Sequence, residues 1–243
     1  MGFVLSFLAG ISTVLGFLVI YINTDNKDSI ICKSLAFAAG VMASVSLFDL
    51  LPNSLVESFN KYSFIFAILI SIVFLLIGIC TSHVIDKMIP ERYEINSSDL
   101  YKSGILTAIT IIMHNIPEGI ITFLSTQKSF YLGLKVSVAI ALHNIPEGIS
   151  IAIPIYYSTK NKFKTLLYTI ISGMSEFVGA LLAFLFLKNI KIPLGFFNSF
   201  IAGVMIDLSI RNLLPHALKY NAIECVFYFI LGIFIMCISH LFI

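Results

Sequence analysis

The sequence contains few charged residues. Of its 243 residues only 12% are Asp, Glu, Lys or Arg, about half of the roughly 25% that is typical of soluble domains. Hydrophobic residues make up 58%, and the mean hydropathy is +0.99. The net charge is +2 without a basic cluster, so nothing indicates a nucleic-acid partner. This composition predicts an integral membrane protein that is surrounded by the lipid bilayer.

Several sequence signatures are also missing. The cysteines show no CxxC spacing, so we expect all four to be reduced thiols that serve packing: Cys32, Cys80, Cys225 and Cys237. The HExxH pattern of zinc hydrolases is absent, which argues against an intramembrane metalloenzyme. The first apolar run lacks a basic region and has no small-residue cleavage site before Asn23. We therefore expect a membrane helix there and not a signal peptide.

Long apolar runs dominate the chain. A membrane-spanning helix needs about 20 predominantly apolar residues. Eight runs reach this length, at residues 3–22, 31–52, 64–85, 100–124, 131–155, 164–187, 193–214 and 223–242. The predicted fold class is therefore an all-α integral membrane protein with eight transmembrane helices, formed by one domain over residues 1–243.

Lysine and arginine are unevenly distributed between the loops. Cytoplasmic loops of membrane proteins carry an excess of these residues. With the N-terminus outside, ten of the 15 are cytoplasmic, namely Lys27, Lys33, Lys87, Arg92, Lys102, Lys160, Lys162, Lys164, Arg211 and Lys219. The other five lie outside, namely Lys61, Lys128, Lys135, Lys188 and Lys191. This distribution predicts a cell-membrane protein with both termini extracytoplasmic.

An internal repeat relates the two halves of the chain. The segments AAGVMASVSLFDLLPNSL at 38–55 and IAGVMIDLSIRNLLPHAL at 201–218 are identical at nine of 18 positions, with a constant offset of 163. The same offset maps span 1 onto span 6 and span 3 onto span 8. Spans 2 and 7 are five crossings apart, so they cross the membrane in opposite directions. We expect spans 1–3 and 6–8 to be inverted repeats that flank spans 4 and 5, an arrangement typical of secondary transporters.

The hexapeptide HNIPEG occurs twice, in the fourth and fifth spans. In each copy the histidine and the glutamate are four residues apart and share one helix face. The asparagine lies about 100° further around the helix. The proline cannot donate to the carbonyl four residues earlier, so that carbonyl is free and the helix is expected to kink. The two copies supply six candidate metal ligands: His114, Asn115, Glu118, His143, Asn144 and Glu147.

These ligands need an explanation, because charges at this depth cost about 2.5–3.5 kcal/mol each and persist mainly when they are paired or functional. Two facing carboxylates repel each other, and a divalent cation between them removes that repulsion. Imidazole, carboxylate and amide groups suit zinc, iron, cobalt, nickel and manganese, without a thiolate to favour copper(I). A kinked helix with a satisfied polar pair would explain one copy. Two inverted copies favour a divalent metal site.

The two HNIPEG copies, SGMSEFVGA at 172–180 and AAGVM at 38–42 resemble the ZIP (Zrt/Irt-like) family of divalent metal transporters, in particular its bacterial broad-specificity zinc-uptake subgroup. The resemblance covers all eight spans. It implies a primary metal site formed by the motif histidines and glutamates with Met42 nearby. It implies a second site completed by Asn115, Asn144 and Glu176, with both motif glutamates bridging the two ions.

The same resemblance implies how the protein works. Spans 1, 4, 5 and 6 would move as a bundle against spans 2, 3, 7 and 8, in an elevator-type alternating-access cycle that brings metal into the cytoplasm. The metal would be the substrate and not a catalytic cofactor, and the chain would not be an enzyme.

The sequence departs from the family pattern at two places. Phe177 stands where span 6 usually has proline, which puts the local bend of that span in doubt. The loop after span 3, DKMIPERYEINSSD at 86–99, contains no histidine, so we expect no metal-sensing role for it.

Three further polar residues have open roles. Asp49 would attract cations at the outer entrance or simply lie at a solvated helix end. Asp207 would be a third ligand or the partner of Arg211 four residues later. His83 with Asp86 would form an exit site or a plain cytoplasmic helix end.

Two other functions use the same ligands, a metal-selective channel and an intramembrane metalloenzyme. Uptake that saturates with metal concentration would separate a carrier from a channel. The sequence leaves open the order of metal preference, the coupling ion and the formation of a homodimer.

Overall fold

The computed structural model describes residues 1–22, 26–60, 62–88, 98–187 and 194–242, with backbone only at 98, 187, 194 and 240–242. These residues form eight helical segments and no strand. They are α1 (Gly2–Gly16, continued by a 3₁₀ turn Phe17–Tyr21), α2 (Lys27–Val45, a π turn Ser46–Leu50, then Leu51–Phe59), α3 (Phe64–Met88), α4 (Ser98–Lys128), α5 (Phe130–Thr159), α6 (Lys162–Leu182, then a π turn Ala183–Leu187), α7 (Leu194–Asp207, a π turn Leu208–Leu213, then Leu214–Leu218) and α8 (Ala222–Phe242).

Within the described ranges, seven of these segments, all except α7, are long and apolar enough to cross a membrane. The prediction of an all-helical membrane protein is therefore confirmed, while the count of eight crossings stays a prediction. In the apolar window of α2, 83% of the residues are buried, against 17% in α3 and in α8. The second helix is therefore central, and the third and eighth present most of their side chains to the surroundings.

Two helices continue beyond the prolines near which the predicted spans end. The second span was expected to end at Pro52 and the seventh at Leu214, but the helices continue to Phe59 and Leu218. A π turn precedes the Leu-Pro pair in both helices. Proline cannot donate to the preceding turn, and a π turn is a common way to accommodate that loss within a continuous helix.

Glycine permits close contact between α2 and α8, and the contact recurs between α7 and α3. A Cβ atom on Gly232 would clash with the carbonyl of Phe37, and one on Gly78 would clash with the carbonyl of Phe200. Close approach of this kind is typical of helix packing in membranes, where small residues bring two backbones together.

The glycine contacts of α3 and α8 show that a different offset relates these two helices. Phe37 and Phe200 are 163 residues apart, as the repeat predicts, whereas Gly78 and Gly232 are 154 apart. The single offset of 163 is therefore wrong for matching α3 with α8. The difference arises mainly because α2 continues further beyond Pro52 than α7 does beyond Pro215, and because Gly78 lies deeper in its helix than Gly232 does.

The remaining helices, α1, α4, α5 and α6, pack against one another as a second group. Phe177, the residue at the usual proline position, lies within an uninterrupted part of α6. Its ring contacts Phe3 and Phe7 of α1, with centroid distances of 5.9 and 6.3 Å. This aromatic contact attaches α6 to α1.

The expectation of four free thiols is wrong for two of them. Cys32 of α2 and Cys225 of α8 form a disulfide with a Cα–Cα distance of 5.8 Å. The two helices begin side by side, which brings together cysteines that are 193 residues apart in sequence. Cys80 and Cys237 form no disulfide, but both are exposed, so the expectation that they serve internal packing is wrong.

Candidate metal site

The two HNIPEG motifs face each other across the α4–α5 interface. Only Ser129 separates the two helices, so they turn back on each other and lie antiparallel. The Nε2 atom of His114 lies 2.9 Å from Oε1 of Glu147, and the Nε2 atom of His143 lies 3.3 Å from Oε1 of Glu118. All four side chains are at most 3% exposed. The site is therefore a pair of crosswise His–Glu contacts inside the protein.

The crosswise pairing follows from the spacing within each motif. A histidine and a glutamate four residues apart share one face, which places both on the interface. Because the helices are antiparallel, the earlier residue of one motif meets the later residue of the other. Each pair therefore joins two helices and does not lie along one.

The asparagines attach the motif helices to α6 and α1. Asn115 donates from Nδ2 to the carbonyl of Ser172, at 3.1 Å. Asn144 donates from Nδ2 to the carbonyl of Ala9, at 2.9 Å, and to Oε2 of Glu176, at 3.0 Å. Glu176 is fully buried. The structure thus brings Glu176 next to the HNIPEG motif of α5.

Many acceptor atoms of these residues have no hydrogen-bond donor. They are Oε2 of Glu118, Oε2 of Glu147, Oε1 of Glu176, Oδ1 of Asn115 and of Asn144, and Nδ1 of His114 and of His143. The five oxygen atoms can only accept, and each Nδ1 is an acceptor when the histidine is neutral and donates from Nε2 to the carboxylate. Buried acceptors are normally satisfied. A cluster of them without donors fits a cation.

This arrangement of side chains is not a finished coordination shell. Among the residues that the structure describes, no group of three or more His, Cys, Asp or Glu side chains converges as a metal cluster. The crosswise contacts use one carboxylate oxygen of each motif glutamate and Nε2 of each motif histidine. A metal ion that takes these same atoms has to replace the contacts.

Met42 lies in the apolar core. It is fully buried in a large hydrophobic cluster that also contains Met205, Leu106 and Ile153. The cluster joins α2 and α7 to the motif helices. The role of Met42 as a metal ligand stays a prediction, because its neighbours in this cluster are apolar packing residues.

A cavity of about 200 Å³ extends to the site between the C-terminal half of α2 and the first turns of α5 and α7. His143 and Glu118 line its inner part. Its other polar residues are Asp49, Asn53, Lys135 and Asn198, which lie near the predicted outer ends of α2, α5 and α7. Asn53 donates to Oδ1 of Asp49 at 2.6 Å. Asp49 therefore lines a largely apolar cavity that reaches the site and does not lie at an isolated helix end.

Asp207 does not contribute to the site. Its carboxylate accepts from Nε of Arg211 at 2.8 Å, which is the intrahelical pair that the sequence left as one alternative. Arg211 also contacts Nδ1 of His83 and lies 3.7 Å from Asp86. A guanidinium already occupies the space between His83 and Asp86, so this cluster is an ion-pair network and a poor cation exit site.

Comparisons with known proteins agree with this architecture. A family model described as ZIP Zinc transporter matches residues 91–240. The zinc transporter ZupT of Clostridium perfringens is 34% identical over 98% of the chain and 94% of that protein. Those of Campylobacter jejuni and Streptococcus mutans are 34% and 35% identical, and the matches cover 97% and 98% of the chain and 94% and 95% of those proteins. The chain therefore belongs to the ZIP family of zinc transporters.

Proposed function

We propose that the protein carries divalent transition-metal cations, zinc foremost, into the cytoplasm through a two-metal site at the α4–α5 interface. Iron, manganese and cobalt would be further substrates. The observation that carries this proposal is the cluster of seven buried acceptor atoms without donors on the two motifs and Glu176. The names of the related proteins support zinc as the substrate.

The ligand set divides between two ions. Both histidines with Glu118 and Glu147 provide nitrogen and oxygen for a tightly held first ion, as zinc prefers. The two asparagines and Glu176 provide only oxygen for a second ion. The two motif glutamates each have a second oxygen free to bridge. The second ion has oxygen ligands only, two of them neutral amides, and no imidazole nitrogen, so it is held less tightly and less selectively than zinc at the first position.

The helix packing supports an elevator-type cycle. The group α1, α4, α5 and α6 carries the ligands, and α2 with α7 of the other group provides most of the wall that faces it. The cavity with Asp49 reaches the ligands from the predicted outer side, which corresponds to an outward-facing protein with both termini outside. Movement of the first group against the second would then open the site to the cytoplasm.

The approach through the cavity gives a first prediction. Asp49→Asn should raise the KM for zinc uptake several-fold with little change in kcat, because Asp49 attracts the cation but is not a ligand in the site. Concentration-dependent zinc uptake into proteoliposomes measures both quantities. Asp28→Asn is a matched control, since Asp28 lies at the opposite end of the same helix. An unchanged KM for Asp49→Asn would remove Asp49 from the approach.

The second ion gives another prediction. Asn144→Asp adds a carboxylate next to Glu176 and should tighten the second ion, so that release slows and maximal uptake falls. Isothermal titration of the purified variant with zinc should show a second equivalent that binds more firmly than in the parent. Unchanged binding of that equivalent would mean that Asn144 does not face the metal.

Transport in proteoliposomes tests the proposal as a whole. A carrier should show saturable zinc uptake whose turnover is far below that of an open pore, and a channel should not saturate in the same range. Uptake that is linear with zinc concentration would favour the channel.

A further inference from the structure

Helices α1 and α6 pack on the motif helices through matching contacts. An added Cβ on Gly148 would clash with the carbonyl of Thr13, and one on Gly119 would clash with the carbonyl of Glu176. These glycines directly follow the motif glutamates and are 29 residues apart. Thr13 and Glu176 are 163 apart. The Gly148–Thr13 and Gly119–Glu176 contacts are therefore equivalent, because an offset of 29 relates the two glycines and an offset of 163 relates their partners.

Further contacts obey the same pair of offsets. Gly16 approaches the carbonyl of Ile145, and Gly179 approaches that of Ile116. Gly10 and Gly173, also 163 apart, approach each other's carbonyls. A contact that maps onto itself marks the position of a pseudo-two-fold axis between α1 and α6.

The hydrogen bonds of the asparagines follow the same relation. Asn144 donates to the carbonyl of Ala9, and Asn115 donates to that of Ser172. Ala9 and Ser172 are again 163 residues apart. The axis thus exchanges α1 with α6 and one HNIPEG motif with the other.

One pair of equivalent positions differs in chemistry. Glu176 places its carboxylate against Asn144, so the axis places the side chain of Thr13 on the side of Asn115. Thr13 is fully buried, and its Oγ1 has no hydrogen-bond partner. A threonine in a helix usually donates to a carbonyl of the preceding turn, as Thr107 does. The free hydroxyl of Thr13 lies where the equivalent helix has a metal-binding carboxylate.

We propose that Thr13 is a binding-site residue of α1, whose hydroxyl supplies a neutral oxygen to the metal on the Asn115 side, opposite Glu176. The inference rests on the proposed two-metal function and adds a helix that neither motif includes. The replacement of a carboxylate by a hydroxyl makes the site asymmetric. The second ion is therefore held on the Glu176 side, and Thr13 contributes a weaker contact from the other side.

An exchange of the two residues tests this inference. Glu176→Thr should weaken the second zinc equivalent by about ten- to hundredfold, the loss seen when groups around a metal ligand are removed. Glu176→Thr combined with Thr13→Glu moves the carboxylate to the equivalent position and should restore that equivalent. Zinc titration of purified, membrane-inserted variants measures both. If Glu176→Thr weakens binding and the exchange does not restore it, Thr13 does not face the metal.

If Glu176→Thr alone leaves the binding of both zinc equivalents unchanged, the proposed second metal site is wrong. This outcome is distinguishable from a failure of the Thr13 inference alone. Smaller substitutions cover the case in which the exchange variant does not insert. Thr13→Val removes the hydroxyl at constant shape and should weaken the second equivalent about three- to tenfold. Thr13→Ser keeps the hydroxyl and should bind as the parent does. Equal binding by the Val variant and the parent, or equal loss in the Val and Ser variants, would overturn the proposal.

Discussion

Zinc uptake should fall below detection when Glu147 is replaced by alanine, while the protein still inserts into the membrane. Glu147 faces His114 across the helix interface, and in the proposed site its carboxylate would bind both ions. Its loss removes one charge from the site and leaves the histidine without its partner. We expect the same result for His143→Ala, which disrupts the other crosswise pair. Uptake of radioactive zinc at equal expression measures both variants.

The control for these variants is a glutamate outside the site. Glu224 is partly exposed at the start of α8, where it lies 3.8 Å from Lys33. Glu224→Ala should transport zinc at close to the parent rate. Near-normal uptake by Glu147→Ala or His143→Ala would contradict the proposal that the crosswise His–Glu pairs bind the first ion.

Zinc binding should release protons and become weaker as the pH falls. As the pH falls, a larger share of the motif histidines carries a proton on both ring nitrogens, and an ion that binds Nε2 must displace the second proton. Metal ligands of this kind bind in their deprotonated forms. One displaced proton changes the apparent affinity by up to about tenfold per pH unit, so the dissociation constant at pH 5.5 should exceed that at pH 7.5 by more than about tenfold.

The measurement is calorimetric titration of the detergent-purified protein in buffers of different ionisation enthalpy, which gives the number of protons released per zinc. Glu118→Gln removes one proton-accepting group and should release fewer. An affinity that stays constant between the two pH values would show that the first ligands are not protonatable.

The membrane class and the pairing of the candidate ligands on one helix face were accessible to sequence reasoning because both depend on local patterns. Apolar length predicts a membrane helix, and a four-residue spacing places a histidine and a glutamate on one face. The crosswise pairing needs one more fact, the antiparallel order of α4 and α5, which the short connection at Ser129 already implies.

Other features depend on packing between distant helices. Cys32 and Cys225 meet only because α2 and α8 begin together, and no spacing rule relates residues 193 positions apart. The π turns before Pro52 and Pro215 resolve a conflict between proline and helix continuation, and the pattern of apolar residues does not show how such a conflict is resolved.

Thr13 is not among the candidate ligands that the sequence motifs indicate. The offset of 163 that relates span 1 to span 6 maps Glu176 onto Thr13, so the signal was present in the sequence. A hydroxyl in an apolar helix resembles an ordinary packing residue, and only the matched contacts at Gly148 and Gly119 distinguish it.

Anomalous diffraction at the zinc edge from crystals of the zinc-loaded protein tests the central claim most directly. We predict two peaks between α4 and α5, both in contact with Glu118 and Glu147. The stronger peak should lie toward His114 and His143, and the weaker one toward the asparagines and Glu176. Peaks only at other positions, such as the Arg211 cluster or the cysteines, with none between the two HNIPEG motifs, would contradict the account.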